Sequence, residues 1–158
     1  MANVKTNAMR ILDSNKVEYD VITYDNKDGK IDGISVAEKI QRVPEIVFKT
    51  LVTQGNSREL YVFVIPVAEE LDLKKSAKAC GEKKVEMIHV KDINKFTGYI
   101  RGGCSPIGMK KRYKTFIHST AKNLDKIVIS GGKIGFQIEI KSEDLIDVID
   151  GDFSDLIK

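Results

Sequence analysis

The chain has 158 residues, 42% hydrophobic and 31% charged, which suffices for one buried core and excludes a disordered, charge-dominated chain. Its 26 basic and 23 acidic residues leave a net charge of +3, too little to mark nucleic-acid binding by charge alone. No apolar run approaches the roughly 20 residues that span a bilayer, the opening MANVKTNAMRIL lacks a leader's apolar centre, and Cys80 and Cys104 have no metal-like spacing, so a cytoplasmic protein with free thiols is expected.

Ala8, Ile11 and Leu12 fall at helical spacing after Thr6 and Asn7, predicting a short first helix. VEYDVITY (17–24) alternates apolar and polar residues as a half-buried strand does, and NKDGKIDG (26–33) is a polar loop. Ser35 with Glu38 forms a capping box that opens a helix through Val36, Ala37 and Ile40, ended before Pro44. IVFKTLVTQ (46–54) and ELYVFVIPV (59–67) are the arms of a hairpin. Asp72 caps a lysine-rich helix closed by Gly81, and VKDINKFTG (90–98) is a short helix stopped by Gly98. YKTFIHS, with His118 in it, KIVIS and GFQIEIK read as further strands, the last two joined across a GGK turn, and His89 also falls in a strand-like stretch. The acidic C-terminal stretch carries Leu145, Ile146, Ile149 and Leu156 as the buried stripe of a docked amphipathic helix. Helices interspersed with hairpins, without βαβ alternation, give an α+β class with a largely antiparallel sheet or barrel in one domain.

Lys49 interrupts the apolar run EIVFKTLV. Either its ammonium reaches back to water along the strand, or it points into a pocket where it meets an anionic or carbonyl group. Thr50 beside it offers a hydroxyl or is simply a good strand former. In RGGCSPIGMKKRYKTF (101–116), Gly102 and Gly103 let backbone amides approach a ligand, or merely turn the chain. Nothing in the spacing ties Cys104 to His89 or His118 as a nucleophile and base, and the scattered cysteines and histidines do not make a zinc set. GxSxG and GxxxxGK[ST] are absent. Ser130 faces the same pocket as Lys49 if strand ends converge, and Tyr24 either stacks on a base or packs.

ITYD (22–25), VFKTLV (47–52), VIPVAEELDLKKSAKACGEKKVEM (64–87), TGYIRGGCSPIGMKKR (97–112) and ISGGKIGFQIEI (129–140), in this order, resemble the YbaK/EbsC family of aminoacyl-tRNA deacylases, in its Cys-tRNA(Pro) branch. The resemblance implies a distorted, mixed β-barrel with helices around it, spanning residues 1–158. It also implies trans-editing of mischarged tRNA(Pro) released by prolyl-tRNA synthetase, with neither metal nor cofactor. Lys49 takes the place of the family's key lysine, a contact to the phosphate or ribose near the terminal adenosine. Gly102 to Pro106 match a GxxxP loop whose amides hold the ester carbonyl, so Gly103, Ser105 and Pro106 join Gly102 as expected site residues. Tyr24, Thr50, Ser105 and Ser130 match pocket positions. Gln137 stands where relatives often carry aspartate, which removes a carboxylate from any base step. Lys110, Lys111, Arg112 and Lys114 are expected on acceptor-stem phosphates. The competing readings are a non-catalytic tRNA-binding or synthetase-associating module, and a deacylase preferring alanyl or seryl esters.

Overall fold

A single hydroxyl sets the first helix. In the computed structural model, which describes residues 5–158, Thr6 accepts from the Met9 amide at 3.2 Å and starts α1 (Asn7–Ser14), burying Ala8, Met9 and Leu12. The stretch read for a leader begins in residues 1–4, outside the described residues, and no described helix is long and apolar enough to cross a membrane. β1 (Tyr19–Thr23) leads to α2 (Gly33–Lys39). The cap of α2 differs from expectation. Asp32, not Ser35, is the N-cap, its carboxylate accepting from the Ser35 amide at 3.1 Å and the Ser35 hydroxyl at 2.7 Å. A carboxylate is a stronger acceptor than a hydroxyl, so the helix starts at Gly33 and Ser35 becomes the capped residue.

β2 (Phe48–Gly55) and β3 (Leu60–Pro66) form the expected antiparallel hairpin, with Lys49 opposite Ile65. Asp72 and Gly81 cap α3 (Leu73–Cys80) as expected, the glycine at φ 76°. β4 (Val85–Met87) follows, then a 3-10 turn at Val90–Asp92 that runs into α4 (Ile93–Thr97), stopped by Gly98. His89 therefore precedes a turn and is not in a strand. β5 (Lys114–His118), β6 (Lys126–Lys133), β7 (Phe136–Lys141), α5 (Ser142–Ile149) and β8 (Asp152–Ser154) complete the chain. The expected C-terminal helix is shorter than its apolar pattern suggested. Asp150 turns left-handed at φ 51°, and Leu156 lies beyond β8 in a different part of the core.

The strands form two sheets, β1-β7-β6 and β4-β2-β3-β5-β8. The first is antiparallel; in the second, β3–β5 and β5–β8 run parallel. The fold class is α+β, with a mixed rather than wholly antiparallel main sheet and no closed barrel. Closure needs every edge strand to find a partner, and the outer strands β4 and β8 are only three residues long. The sheets instead touch where Val47 bridges Val128 in parallel.

Central β3 is apolar on both faces, as a strand covered on both sides must be. Val62 and Val64 enter the core between the sheets, with Ile127, Ile129, Ile138, Ile140 and the buried faces of α1 and α5. Phe63 and Ile65 enter the opposite cluster, where Phe63 stacks on Phe116 at 5.6 Å and Leu156 closes the end. Each fully buried side chain of this size contributes about 1.5–3 kcal/mol. A third cluster, with Tyr24, Val36, Val47, Val67 and Val128, fills the junction of the two sheets.

Candidate active site

The Val47–Val128 bridge places the site. Side chains alternate along a strand, so two residues onward from each bridge partner Lys49 and Ser130 stand together. Gln137, paired with Ser130 across β6 and β7, comes with them. The three line a cavity of about 110 Å³, together with Thr50, Gly102 and Cys104, against a wall formed by Ile31, Val36, Val47 and Val67.

Ser130 Oγ accepts from the Gly132 amide at 3.2 Å, whereas other polar groups here lack protein partners. Among the described residues Lys49 makes no ion pair or hydrogen bond. Burial pushes its pKa below the usual lysine value, partly opposed by Glu70 and Glu69. Thr50 Oγ1 and Tyr24 OH are closed off from solvent with no partner, and Gln137, only 6% exposed, contributes its side chain to the cavity lining. Tyr24 does not line the cavity; it packs behind the wall, beside Val36, Val47 and Val67. An orphaned buried hydroxyl costs about 1–3 kcal/mol, which makes Thr50 Oγ1 the unsatisfied group on the cavity wall and Tyr24 OH a second one behind it.

The glycine loop closes the cavity. Gly102 has φ 85°, and a Cβ there would lie 2.7 Å from Ile31 Cδ1. Gly103 lies outside the lining; its amide donates to Ile100 O at 2.9 Å, and a Cβ on it would lie 3.1 Å from Ile134 N. Among the described residues the amides of Gly102, Cys104 and Ser105 meet no protein acceptor, which leaves them as the loop's free donors. The Ser105 hydroxyl turns inward, fully buried, and accepts from the Ile107 amide at 3.2 Å. Pro106 lines a separate groove with Lys111, Arg112 and Tyr113.

None of Lys110, Lys111, Arg112 and Lys114 lines the Lys49 cavity, although all four are exposed. Arg112 reaches Val148 O at 3.4 Å, and the Lys114 ammonium sits 5.6 Å from the Phe116 ring centroid.

Sequence reasoning passed over Cys104 as a lining residue, although it lies inside the glycine loop. Burial pushes its thiol up to about 11, so it stays protonated at neutral pH. No histidine is at hand to deprotonate it. His118 accepts from the Leu156 amide at 3.1 Å, and His89 lines a groove beside β4. The hydrophobic wall was equally silent in sequence, because Ile31, Val36 and Val67 look like ordinary packing residues.

Comparison with known proteins gives this geometry a context. A curated relative from Enterococcus faecalis is 47% identical over 96% of this chain and 93% of its own length; it is provisionally named a Cys-tRNA(Pro)/Cys-tRNA(Cys) deacylase, EbsC. A crystal structure of a hypothetical protein superposes with a TM-score of 0.88 at 16% identity, covering 97% of this chain and 100% of its own. Another, described provisionally as a trans-editing enzyme for prolyl-tRNA synthetase, gives a TM-score of 0.83 at 17% identity over 99% of each chain. At those identities the two structures speak for the fold alone. The model of the aminoacyl-tRNA editing domain matches residues 32–148, a span that includes Lys49, the glycine loop, Ser130 and Gln137. With most of the chain matched and nearly all of it aligned to a relative at 47% identity, this protein belongs to the aminoacyl-tRNA editing domain family.

Proposed function

We propose that residues 1–158 act as one trans-editing deacylase that cleaves the aminoacyl ester of mischarged Cys-tRNA(Pro). The observation that carries this reading is the unpartnered Lys49 on a small cavity beside free loop amides. An aminoacyl ester is already activated, so positioning and oxyanion stabilisation suffice, and one donor is worth roughly 3 kcal/mol. Lys49 holds the phosphate or ribose near the terminal adenosine. The Gly102 amide, with those of Cys104 and Ser105, receives the carbonyl oxygen as charge develops on it. Thr50, Ser130 and Gln137 frame the aminoacyl group, Tyr24 supports them from behind, and Gly103 and Pro106 fix the shape of the loop.

With a cysteinyl ester the substrate supplies its own nucleophile. Its thiol sulfur bonds to the carbonyl carbon, the ester carbon–oxygen bond breaks, and the thiol proton passes to the departing ribose oxygen. The products are a cyclic thioester and free tRNA. Gln137 carries no negative charge, so the scheme involves no carboxylate base, and no metal or cofactor enters it. Lys110, Lys111, Arg112 and Lys114 contact stem phosphates outside the cavity, and prolyl-tRNA synthetase supplies tRNA selectivity in the cytoplasm. The cavity of about 110 Å³ also favours a second reading, a deacylase for alanyl or seryl esters, in which a ribose hydroxyl activates water.

The test is loss of ester from cysteinyl-tRNA(Pro) with the protein and with Lys49→Ala. Rapid loss with the first and none with the second is expected. Two inert proteins that still bind tRNA would leave a binding module instead, and equal activity in both would remove Lys49 from the mechanism.

A further inference from the structure

We propose that the mouth of the Lys49 cavity is a collar for the single-stranded 3′ end of tRNA, built from Lys30, Arg101 and Lys133 with the exposed Ile34 and Ile100. The inference rests on the deacylase reading of the cavity, and it gives the substrate's grip to different residues from the 110–114 cluster.

Three loops that are distant in sequence meet at one point. A Cβ on Gly102 would lie 2.7 Å from Ile31 Cδ1 and 3.5 Å from Ile134 Cγ1, and one on Gly103 would lie 3.3 Å from Lys133 Cα. Lys30 adjoins Ile31, Arg101 adjoins Gly102, and Lys133 is itself in the contact. Three exposed cationic residues thus lie on the loops that meet beside the cavity-lining Gly102 and Ile31. Among the described residues none of them has an ion-pair partner, although Lys133 lies 5.7 Å from the Phe136 ring centroid. Nearby carboxylates are largely occupied. Asp28 pairs with Lys39 at 2.7 Å, Asp32 caps α2, and Glu70 pairs with Lys158 at 3.1 Å. Glu69 remains, close enough to Lys49 to act on its charge.

The same rim exposes two large apolar side chains, Ile34 at 41% and Ile100 at 56%. Each sits within two residues of a cavity-lining glycine, Gly33 or Gly102. Unpaired cations interleaved with bare apolar surface match a single strand, whose phosphates and unstacked bases are both available. A closed duplex offers only its phosphates. The reacting ester also lies at a strand's last nucleotide, so whatever enters the cavity brings the preceding phosphates onto this rim.

Binding of an RNA hairpin with a 3′ CCA overhang, and of the same hairpin blunt-ended, tests the proposal by fluorescence anisotropy across a salt series. The overhang should bind more tightly than the blunt form. Arg101→Ala with Lys133→Ala should weaken the overhang complex roughly tenfold and flatten its salt dependence by about 0.7 in log–log slope per residue removed. Lys78→Ala on α3 with Lys83→Ala just beyond it, two exposed lysines, should leave both unchanged. Both replaced rim residues are exposed, so an unaltered thermal midpoint verifies folding, and glutamine replaces alanine if it shifts. Equal binding of blunt and overhang RNA, or an unchanged slope in the rim variant, overturns the collar. Ester hydrolysis is read separately. Overhang binding without hydrolysis removes the deacylase reading and keeps the collar; hydrolysis with an unchanged KM in the rim variant does the reverse.

Discussion

Two polar clusters sit at opposite ends of β2, and they are built on opposite rules. Near the β2–β3 turn, the Glu82 carboxylate accepts from the Ser57 hydroxyl at 2.5 Å, the Ser57 amide at 3.1 Å and the Tyr61 hydroxyl at 2.6 Å. Those bonds hold Glu82 below the usual carboxylate range and push Tyr61 well above the usual phenol. Every group there has a partner. At the other end Lys49, Thr50 and Tyr24 have none. Satisfied polar groups stabilise a fold, whereas buried polar groups left open cost stability and are kept where something else will complete them. The Glu82 bonds to Ser57 lie at the surface, whereas the Thr50 and Tyr24 hydroxyls are closed off from solvent.

The sharpest way to break this contrast is Lys49→Met. Hydrolysis of cysteinyl-tRNA should fall by roughly 10²–10³, the effect of losing one preorganised donor, while the thermal midpoint holds or rises because a desolvated ammonium is gone. A stability loss equal to the activity loss would make Lys49 a structural residue like Glu82. Next in size, Gly102→Ala should lower activity by about tenfold and cost about 1–2 kcal/mol in a denaturant melt, since the left-handed φ and the Ile31 contact both resist a Cβ. An active, unstrained Gly102→Ala protein would remove the loop from the site.

Glu82→Gln should act in the opposite sense, lowering the thermal midpoint by a few degrees with turnover unchanged. Because the folded pKa of Glu82 is depressed, its contribution is present above the unfolded value and is lost as pH falls through the folded one. The gap between wild type and Glu82→Gln in melts should therefore close in acid, below about pH 4. A gap that persists there would mean packing, not charge, holds the cluster. The smallest effect is expected for Cys104→Ser, within about threefold of wild-type turnover, because a thiol at about 11 is no nucleophile at neutral pH. Alkylation of Cys104 should accelerate as pH approaches that value; loss of all activity on serine substitution would restore the thiol to the mechanism.

By itself the sequence determined what neighbours along the chain decide. The Asp72 and Gly81 caps, the Gly98 stop and the two hairpins were all legible, because each rests on residues a few positions apart. Lys49 was legible as an anomaly, since a lysine inside an apolar strand is unusual wherever the strand goes. Even local signals faltered where two caps competed, as at Asp32 and Ser35, or where Asp150 ended a helix whose apolar pattern ran on. Tertiary structure alone decided that β2 meets β6 at Val47 and Val128, which places Ser130 and Gln137 beside Lys49. It also decided that the Gly103 amide goes to Ile100 while its neighbours stay free, and that Ser105 turns inward. The first of these depends on which distant strand arrives alongside, and the loop's local bonds depend on the conformation it takes against Ile31, Lys133 and Ile134. No residue carries that information on its own, because it is set by the packing of strands some eighty positions apart.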